Sequence, residues 1–255
     1  MYILKDVIMN LDGTRIRVSF ENISRSPIPE EYHYEFRNVI LKKIQECDKE
    51  LSLSIHDQWD RFFSFSGFLG PQWNTSLGLV FKRIDVVFAS PDASAVSSLK
   101  NALLLSPYVS LFNARILVNS VRDDKITLED GVTNLQYETL GEAVIKKDEK
   151  FGKTLHVGAN DNIESSLENT IKRQYTAFRG EDPSLFVKLI SVKQKKKAIL
   201  KTGTISNSFI ALRLRFSVQA NERVHAFLLT QGIGHHRKMG FGTVGIYKER
   251  NLNEH

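Results

Sequence analysis

Apolar and polar positions along the chain fall into two similar successions of strand-like and helix-like segments. After an N-terminal apolar stretch and an Asp12-Gly13 turn, Thr14 to Phe20 alternates with period two, which puts Ile16, Val18 and Phe20 on one face of a strand. Pro27 and Pro29 precede a helical pattern from Glu30 to Asp48, with Phe36, Val39, Ile40, Leu41 and Ile44 as its apolar side. Arg61 to Phe68 and Leu77 to Ala89 read as strands. A helix from Ala93 to Leu105, following Ser90-Pro91-Asp92, and a strand from Tyr108 to Ser120 complete a β-α-β-β-α-β order.

The acidic, turn-rich stretch from Val121 to Gly131 is the expected boundary, dividing the chain into residues 1–122 and 123–255. Beyond it, Thr133 to Ile145 reads as a strand and Asp161 to Phe178 as a helix with Asn160 or Asp161 as its N-cap. Phe186 to Leu200 and Ser206 to Val218 alternate as two long strands. Asn221 to Thr230 is a short helix, and Phe241 to Lys248 a last strand. The same element order recurs without a detectable sequence repeat.

Composition is that of a soluble globular chain, with 42% hydrophobic and 25% charged residues in 255. Lys5, Asp6, Asp12, Arg15 and Arg17 interrupt the first twenty residues, so neither a secretory core nor a membrane span is expected there. A single cysteine, Cys47, excludes an internal disulfide framework and a thiolate-rich zinc site; a reducing cytoplasm is the expected location. Charge changes the picture more. Residues 1–120 hold 13 basic and 13 acidic side chains, so the whole net charge of +6 resides in residues 121–255. Residues 151–255 alone carry 17 basic against 8 acidic side chains, a surface suited to a polyphosphate backbone.

The run from Gly232 to Gly242, GIGHHRKMGFG, places glycines at 232, 234, 240 and 242 around His235, His236, Arg237 and Lys238. Glycines permit close approach to the main chain and the cations suit an anion. Neither the Walker order nor the dinucleotide-fold spacing fits. The run does match GhGxxxxxGhG, with Ile233 and Phe241 as the apolar members, and so resembles the CRISPR-associated RNA-binding superfamily of repeated ferredoxin-like folds, most closely its Cas-six branch of endoribonucleases. A second match lies in Ile55 to Phe68, where His56-Asp57, Arg61 and the aromatic stretch Phe62-Phe63-Ser64-Phe65-Ser66 follow the first helix.

The resemblance implies an α+β protein of two tandem ferredoxin-like (βαββαβ) domains whose antiparallel sheets face a shared groove. It implies a metal-independent endoribonuclease that cuts precursor CRISPR RNA within the repeat, without a cofactor, leaving a 2′,3′-cyclic phosphate and a 5′-hydroxyl; the alternative is a non-cleaving RNA-binding subunit of an effector complex. RNA supplies its own nucleophile, so His56 would transfer protons and Arg61 would neutralise the phosphorane. Some relatives place a tyrosine on the first helix. Lys42 aligns near that position here, with Tyr32, His33 and Tyr34 about three turns earlier, and His33 is a rival for the second proton transfer.

Further RNA contacts are expected from Lys193, Lys195, Lys196, Lys197 and Lys201, read as a hairpin tip, and from Arg213 and Arg215, which share one strand face. Backbone NH groups of the glycine run would face phosphates, and Arg237 and Lys238 would add charge-assisted contacts. His235 and His236, adjacent and without carboxylate or thiolate companions, make a poor metal site. The partner expected is repeat RNA, as precursor and mature product. Further effector subunits and a homodimer stay open, and no membrane is involved.

Overall fold

A computed structural model describes residues 14–53, 63–128, 131–150, 153–201 and 204–248, with the backbone alone at 148–150, 153–155, 198–201 and 204–207. In the N-terminal half, β1 (Arg15–Asn22), α1 (His33–Cys47), β2 (Ser64–Phe65), β3 (Trp73–Thr75), β4 (Gly78–Val80), β5 (Arg83–Ala89), α2 (Ala93–Leu105), β6 (Tyr108–Leu111) and β7 (Ala114–Asp123) follow one another. The C-terminal half continues with β8 (Asn134–Thr139), β9 (Lys146–Lys150), β10 (Lys153–His156), α3 (Ile163–Arg179), β11 (Phe186–Lys201), β12 (Thr204–Gln219), α4 (Glu222–Gln231) and β13 (Val244–Ile246).

Strand order is β2-β5-β1-β7-β6 in the first sheet and β11-β12-β8-β13 in the second, with β3–β4 and β9–β10 as separate hairpins. All recorded pairings are antiparallel. Both halves thus have the ferredoxin-like arrangement, in which the first and third strands of the motif are central. The buried face of β1 is Ile16, Val18 and Phe20, and it packs with Phe36, Phe65 and Phe88 in the first core. Tyr137, Phe216, Ile171, Tyr175 and Phe227 anchor the second. Side-chain caps set the starts of α2, α3 and α4, where Asp92 accepts from Ser94 N, Asn162 from Ser165 N and Asn221 from Val224 N; α1 starts at Tyr32 without one.

Several elements differ from the sequence expectation. Tyr108 to Ser120 is a tight hairpin, not one strand: the chain turns at Phe112-Asn113, with Phe112 at φ 52°. The cap of α3 is Asn162 because Asp161 is engaged elsewhere, accepting from Lys147 Nζ and from Gly158 N. The last strand shortens to Val244–Ile246, since Phe241 is buried in a third cluster with Val144, Phe209, Ala211 and Met239. Tyr34, from the first helix, packs against that cluster and so belongs to the joint between the halves.

The joint is held by polar and apolar contacts. Arg15, 2% exposed, donates from Nη1 to the carbonyls of Leu229 (2.6 Å) and Val244 (2.9 Å), and from Nε and Nη2 to Asp124 Oδ2 at 3.1 and 3.0 Å. Those carbonyls sit in α4 and β13, on either side of the glycine run. His33 lies between the rings of Tyr32 (4.2 Å) and Phe241 (4.5 Å). Burial, with help from the Lys197 charge and against a small contribution from the Met239 backbone, pushes the His33 pKa down to about 3. The Tyr32 hydroxyl accepts from Phe68 N at 2.8 Å, and its burial raises its pKa well above the usual phenol range.

Two consequences are measurable by urea unfolding. Arg15→Leu leaves Asp124 and two carbonyls without their donor, and is expected to lower the unfolding free energy by about 3–5 kcal/mol. His33 gives a pH signature. Its folded pKa lies below its ordinary 6.5, so on acidification the unfolded chain takes up a proton that the folded chain refuses, and stability falls from about pH 6.5 downward. Relative to His33→Phe, the wild type is expected to lose about 1.4 kcal/mol per pH unit between pH 6 and 4; parallel pH profiles would contradict the buried neutral imidazole.

Candidate nucleic-acid interface

The glycine run is built by backbone contact within the protein. From α4 the chain passes out through Gly232 to His236, makes a single 3₁₀ turn at Arg237–Met239, and returns through Gly240 to β13. Its two limbs touch: Ile233 N donates to Gly242 O at 2.8 Å, and a Cβ on Gly242, whose φ is +81°, would stand 1.8 Å from Ile233 O. At Gly240 a Cβ would come within 2.6 Å of the Phe65 ring, so the tip of the run lies directly on the N-terminal half.

These contacts correct one expectation. The NH groups of Gly232, Gly240 and Gly242 donate to the carbonyls of Leu228, Arg237 and Glu142, and that of Gly234 donates to Gln174 Oε1 at 3.1 Å. They face the protein's own acceptors instead of a phosphate. What the run presents outward is side chains: His235 is exposed, and His236, Arg237 and Lys238 are half-buried. Arg237 Nη1 donates to both the carbonyl and the side-chain oxygen of Gln231 at 3.2 Å, which fixes its guanidinium against α4.

A histidine that carries no sequence motif joins this surface. The β9–β10 hairpin brings His156 against Phe209 (5.8 Å between centroids), whose ring also stacks with His236 at 5.0 Å. His156 is shifted down by burial and then by Lys146; His235 by burial and then by Lys146, Arg173, His156 and Arg237. Their imidazoles therefore favour the neutral form within a cationic patch. Among the described residues no group of three His, Cys, Asp or Glu side chains could hold a metal ion. His225 is internal, its Nδ1 2.8 Å from the Tyr137 hydroxyl.

Between the halves lies a groove of about 440 Å³, walled by Phe68, Leu69, Gly70 and Gln72 on one side and by Lys193, Arg213 and Arg215, among others, on the opposite side. The strand register places Lys193 opposite Arg213 and Ser191 opposite Arg215. Arg213 and Arg215 share the groove face, as their spacing implies, and the Arg215 guanidinium lies 3.7 Å above the Tyr247 ring. Glu142, 7% exposed, sits 3.8 Å from Lys195 and 3.9 Å from Arg213.

Of the lysine run only Lys201 stands at the hairpin end, paired with Thr204. Lys193 to Lys197 lie within β11, where they pair with Arg213 to Phe209. Alternation puts Lys193, Lys195 and Lys197 on one face, spaced about 6.8 Å apart, and turns Lys196 to the other. This stripe runs from the groove toward His33, whose imidazole senses the charge of Lys197. The Lys201 side chain lies outside the described residues.

His56 and Arg61 also lie outside the described residues. The described chain resumes at Phe63, and Phe65 already touches Gly240. Lys42 is exposed on α1, eight residues beyond Tyr34, about 12 Å along the helix axis and so well past the loop. The first-helix tyrosine at the loop is Tyr34. Tyr32 and His33, buried beside it, belong to the core of the joint. Phe63, Phe65 and Phe68 are buried core positions, as their alternation implies.

Comparison with known proteins adds a family to this geometry. Residues 132–246 match the model for the C-terminal part of the CRISPR associated protein Cas6. Among solved structures, the product of a Cas6-related gene from Pyrococcus furiosus superposes with a TM-score of 0.79 at 17% identity, covering 93% of this chain and 99% of that one. A RAMP protein described as binding different RNA substrates gives 0.76 at 17% identity, over 92% of this chain and all of its own. A structure described as CRISPR associated protein Cas6 gives 0.73 at 20% identity, with 92% and 99% covered. No curated protein matches. Residues 132–246 thus match the family model of the Cas6 C-terminal part, and the chain as a whole shares the fold of these solved structures.

Proposed function

We propose that this protein binds CRISPR repeat RNA across the joint between its halves and cuts it, without a metal ion, by attack of the RNA's own 2′-hydroxyl. The observation that carries the reading is the convergence at one joint of the glycine run, Tyr34 of the first helix and the lysine stripe of β11, in a chain whose C-terminal part matches the Cas6 family model. Lys193, Lys195, Lys197, Arg213 and Arg215 hold the backbone in the groove. Arg237 and Lys238, with His235 and His236, hold it at the loop. Glycines 232, 234, 240 and 242 contribute by shaping the run and seating it on Phe65.

For the chemistry, His56 transfers the proton and Arg61 neutralises charge on the phosphorane, leaving a 2′,3′-cyclic phosphate and a 5′-hydroxyl. Tyr34, which packs at the loop, is the residue we assign to the third, first-helix role in preference to Lys42, which stands about 12 Å further along α1. His33 is unsuited to the second proton transfer, being buried and neutral at physiological pH. Similar structures include one described as a Cas6 product complex, and this supports a cleavage reading of the fold.

Two experiments test the proposal. Incubated with repeat RNA in excess chelator, the protein is expected to yield the cyclic-phosphate and hydroxyl ends, and His56→Ala to slow cutting by about 10²–10⁴. Retention of uncut RNA would assign the non-cleaving role instead, and cutting at an unchanged rate in His56→Ala would remove the role of His56. For binding, the triple variant Lys193→Ala, Arg213→Ala, Arg215→Ala is expected to flatten the slope of log affinity against log salt by about 2, or roughly 0.7 per lost contact to a single strand. Lys196→Ala, on the opposite strand face, should leave that slope nearly unchanged.

A further inference from the structure

The open face of the C-terminal sheet forms one wall of the groove, and its strand order sets β8 between β12 and β13. On β8, Tyr137 and Thr139 are buried, while Glu138 between them is half-buried and lines the groove. The register places Glu138 opposite Arg215 on one side and opposite Gly245 on the other. Opposite charges facing each other across two strands ordinarily pair. Here they do not. The Arg215 guanidinium lies over the ring of Tyr247, 3.7 Å from its centroid, and Gly245 has no side chain to offer. Among the described residues the Glu138 carboxylate therefore has neither an ion pair nor a side-chain hydrogen bond. Glu142, by contrast, is buried beside Lys195 and Arg213.

A free carboxylate on a wall that also carries Lys193, Arg213 and Arg215 opposes the anion binding that those cations favour. Its place is explained by a guest that brings hydrogen-bond donors together with negative charge. Unpaired RNA does so, with phosphates for the cations and base edges free to be read. The donors distinguish the bases. Guanine alone sets two donors side by side on its Watson–Crick edge, N1–H and the N2 amino group, at a spacing that suits the two oxygens of one carboxylate. Adenine and cytosine place an acceptor beside their amino group, and uracil flanks N3–H with two carbonyls, so each brings a lone pair against the carboxylate. A ribose hydroxyl supplies one donor and leaves the second oxygen unmet. Two donors on one charged acceptor form the stronger arrangement.

We infer that Glu138 selects a guanosine in an unpaired part of the bound RNA, its two oxygens accepting from guanine N1–H and the N2 amino group while Lys193 and Arg213 hold neighbouring phosphates. Arg215, seated on Tyr247, leaves the carboxylate free for this task. The inference rests on the RNA-binding reading above and adds to it the base that the groove prefers.

The test measures binding of single-stranded uridine tracts carrying one central guanosine, inosine or adenosine to the full chain and to Glu138→Ala and Glu138→Met. Uniform flanks let a tract slide until its odd base meets the carboxylate. The wild type is expected to hold the guanosine tract about tenfold more tightly than the adenosine tract, the scale of one bidentate base contact. Inosine, which keeps N1–H and lacks the amino group, should fall between them. Both variants remove a negative charge from a cationic wall. They are therefore expected to hold the adenosine tract at least as tightly as the wild type does, while losing most of the preference for guanosine. A carboxylate that only tunes charge would strengthen all three tracts alike and leave the preference intact, and that result overturns the assignment. A wild type that ranks guanosine with adenosine also overturns it, and this arm needs no variant to fold. Tracts bound without preference remove the base selection and leave RNA binding standing; tracts not bound at all remove the RNA-binding reading and the inference together.

Discussion

The buried guanidinium of Arg15 sets the relation between the two halves. It leaves the first strand, satisfies Asp124 with two of its nitrogens, and gives the third to a pair of carbonyls at the two roots of the glycine run. A planar fork with donors in fixed directions can do this; a flexible ammonium cannot satisfy three acceptors in the same geometry. Because Leu229 and Val244 are both tied to β1, the loop between them cannot shift as a unit without breaking charge-assisted bonds in a water-poor site. The loop is thereby attached to the opposite half at its base, while its tip is seated on Phe65.

Given that anchorage, the glycines have a different task from the one their spacing suggests. In a phosphate-binding turn the absence of Cβ lets a ligand approach the main chain. Here the approaching groups are the protein's own: Gly242 against Ile233, Gly240 against Phe65. A similar close passage occurs where Gly141 of the second half meets Gly67 of the first, a Cβ on Gly141 falling 3.2 Å from Gly67 N. Backbone passing backbone at such distances leaves little freedom to slide, so the cationic side chains of the run stand in defined positions relative to α1. The NH groups of the four glycines are thus taken up by the protein itself, and the run presents its cationic side chains outward.

Much of the fold was legible because one-sided burial writes a period into sequence. Phe36, Ile40 and Ile44 mark α1, and Ile16, Val18 and Phe20 mark β1, since each group faces a single core. The method fails where a second half covers the other face: Arg15 alternates with those apolar positions and reads as solvent-facing, yet the C-terminal half buries it. The hairpin at Phe112-Asn113 was missed because an apolar run continues across the turn without glycine or proline. The expected caps, Asn160 or Asp161, give way to Asn162, because Asp161 is taken by Lys147, a partner distant in sequence. Of the site, the loop cations and Arg213 with Arg215 were visible as motif and spacing. Tyr34 at the loop and His156 were not, for their placement comes only from neighbours distant in sequence.

The electrostatics of the loop surface follow from the same packing. Half-buried His156 beside Lys146, and His235 at the surface beside Lys146, Arg173 and Arg237, are both shifted toward the neutral imidazole by desolvation and then by like charge. A phosphate brought among those cations would offset the positive field that disfavours the imidazolium, so binding of an anion there and protonation of the histidines would favour each other. By linkage the reverse also holds: each proton taken up at this surface strengthens its hold on an anion. The histidines of this surface therefore hold a reserve of positive charge that an anion placed among the cations would draw in.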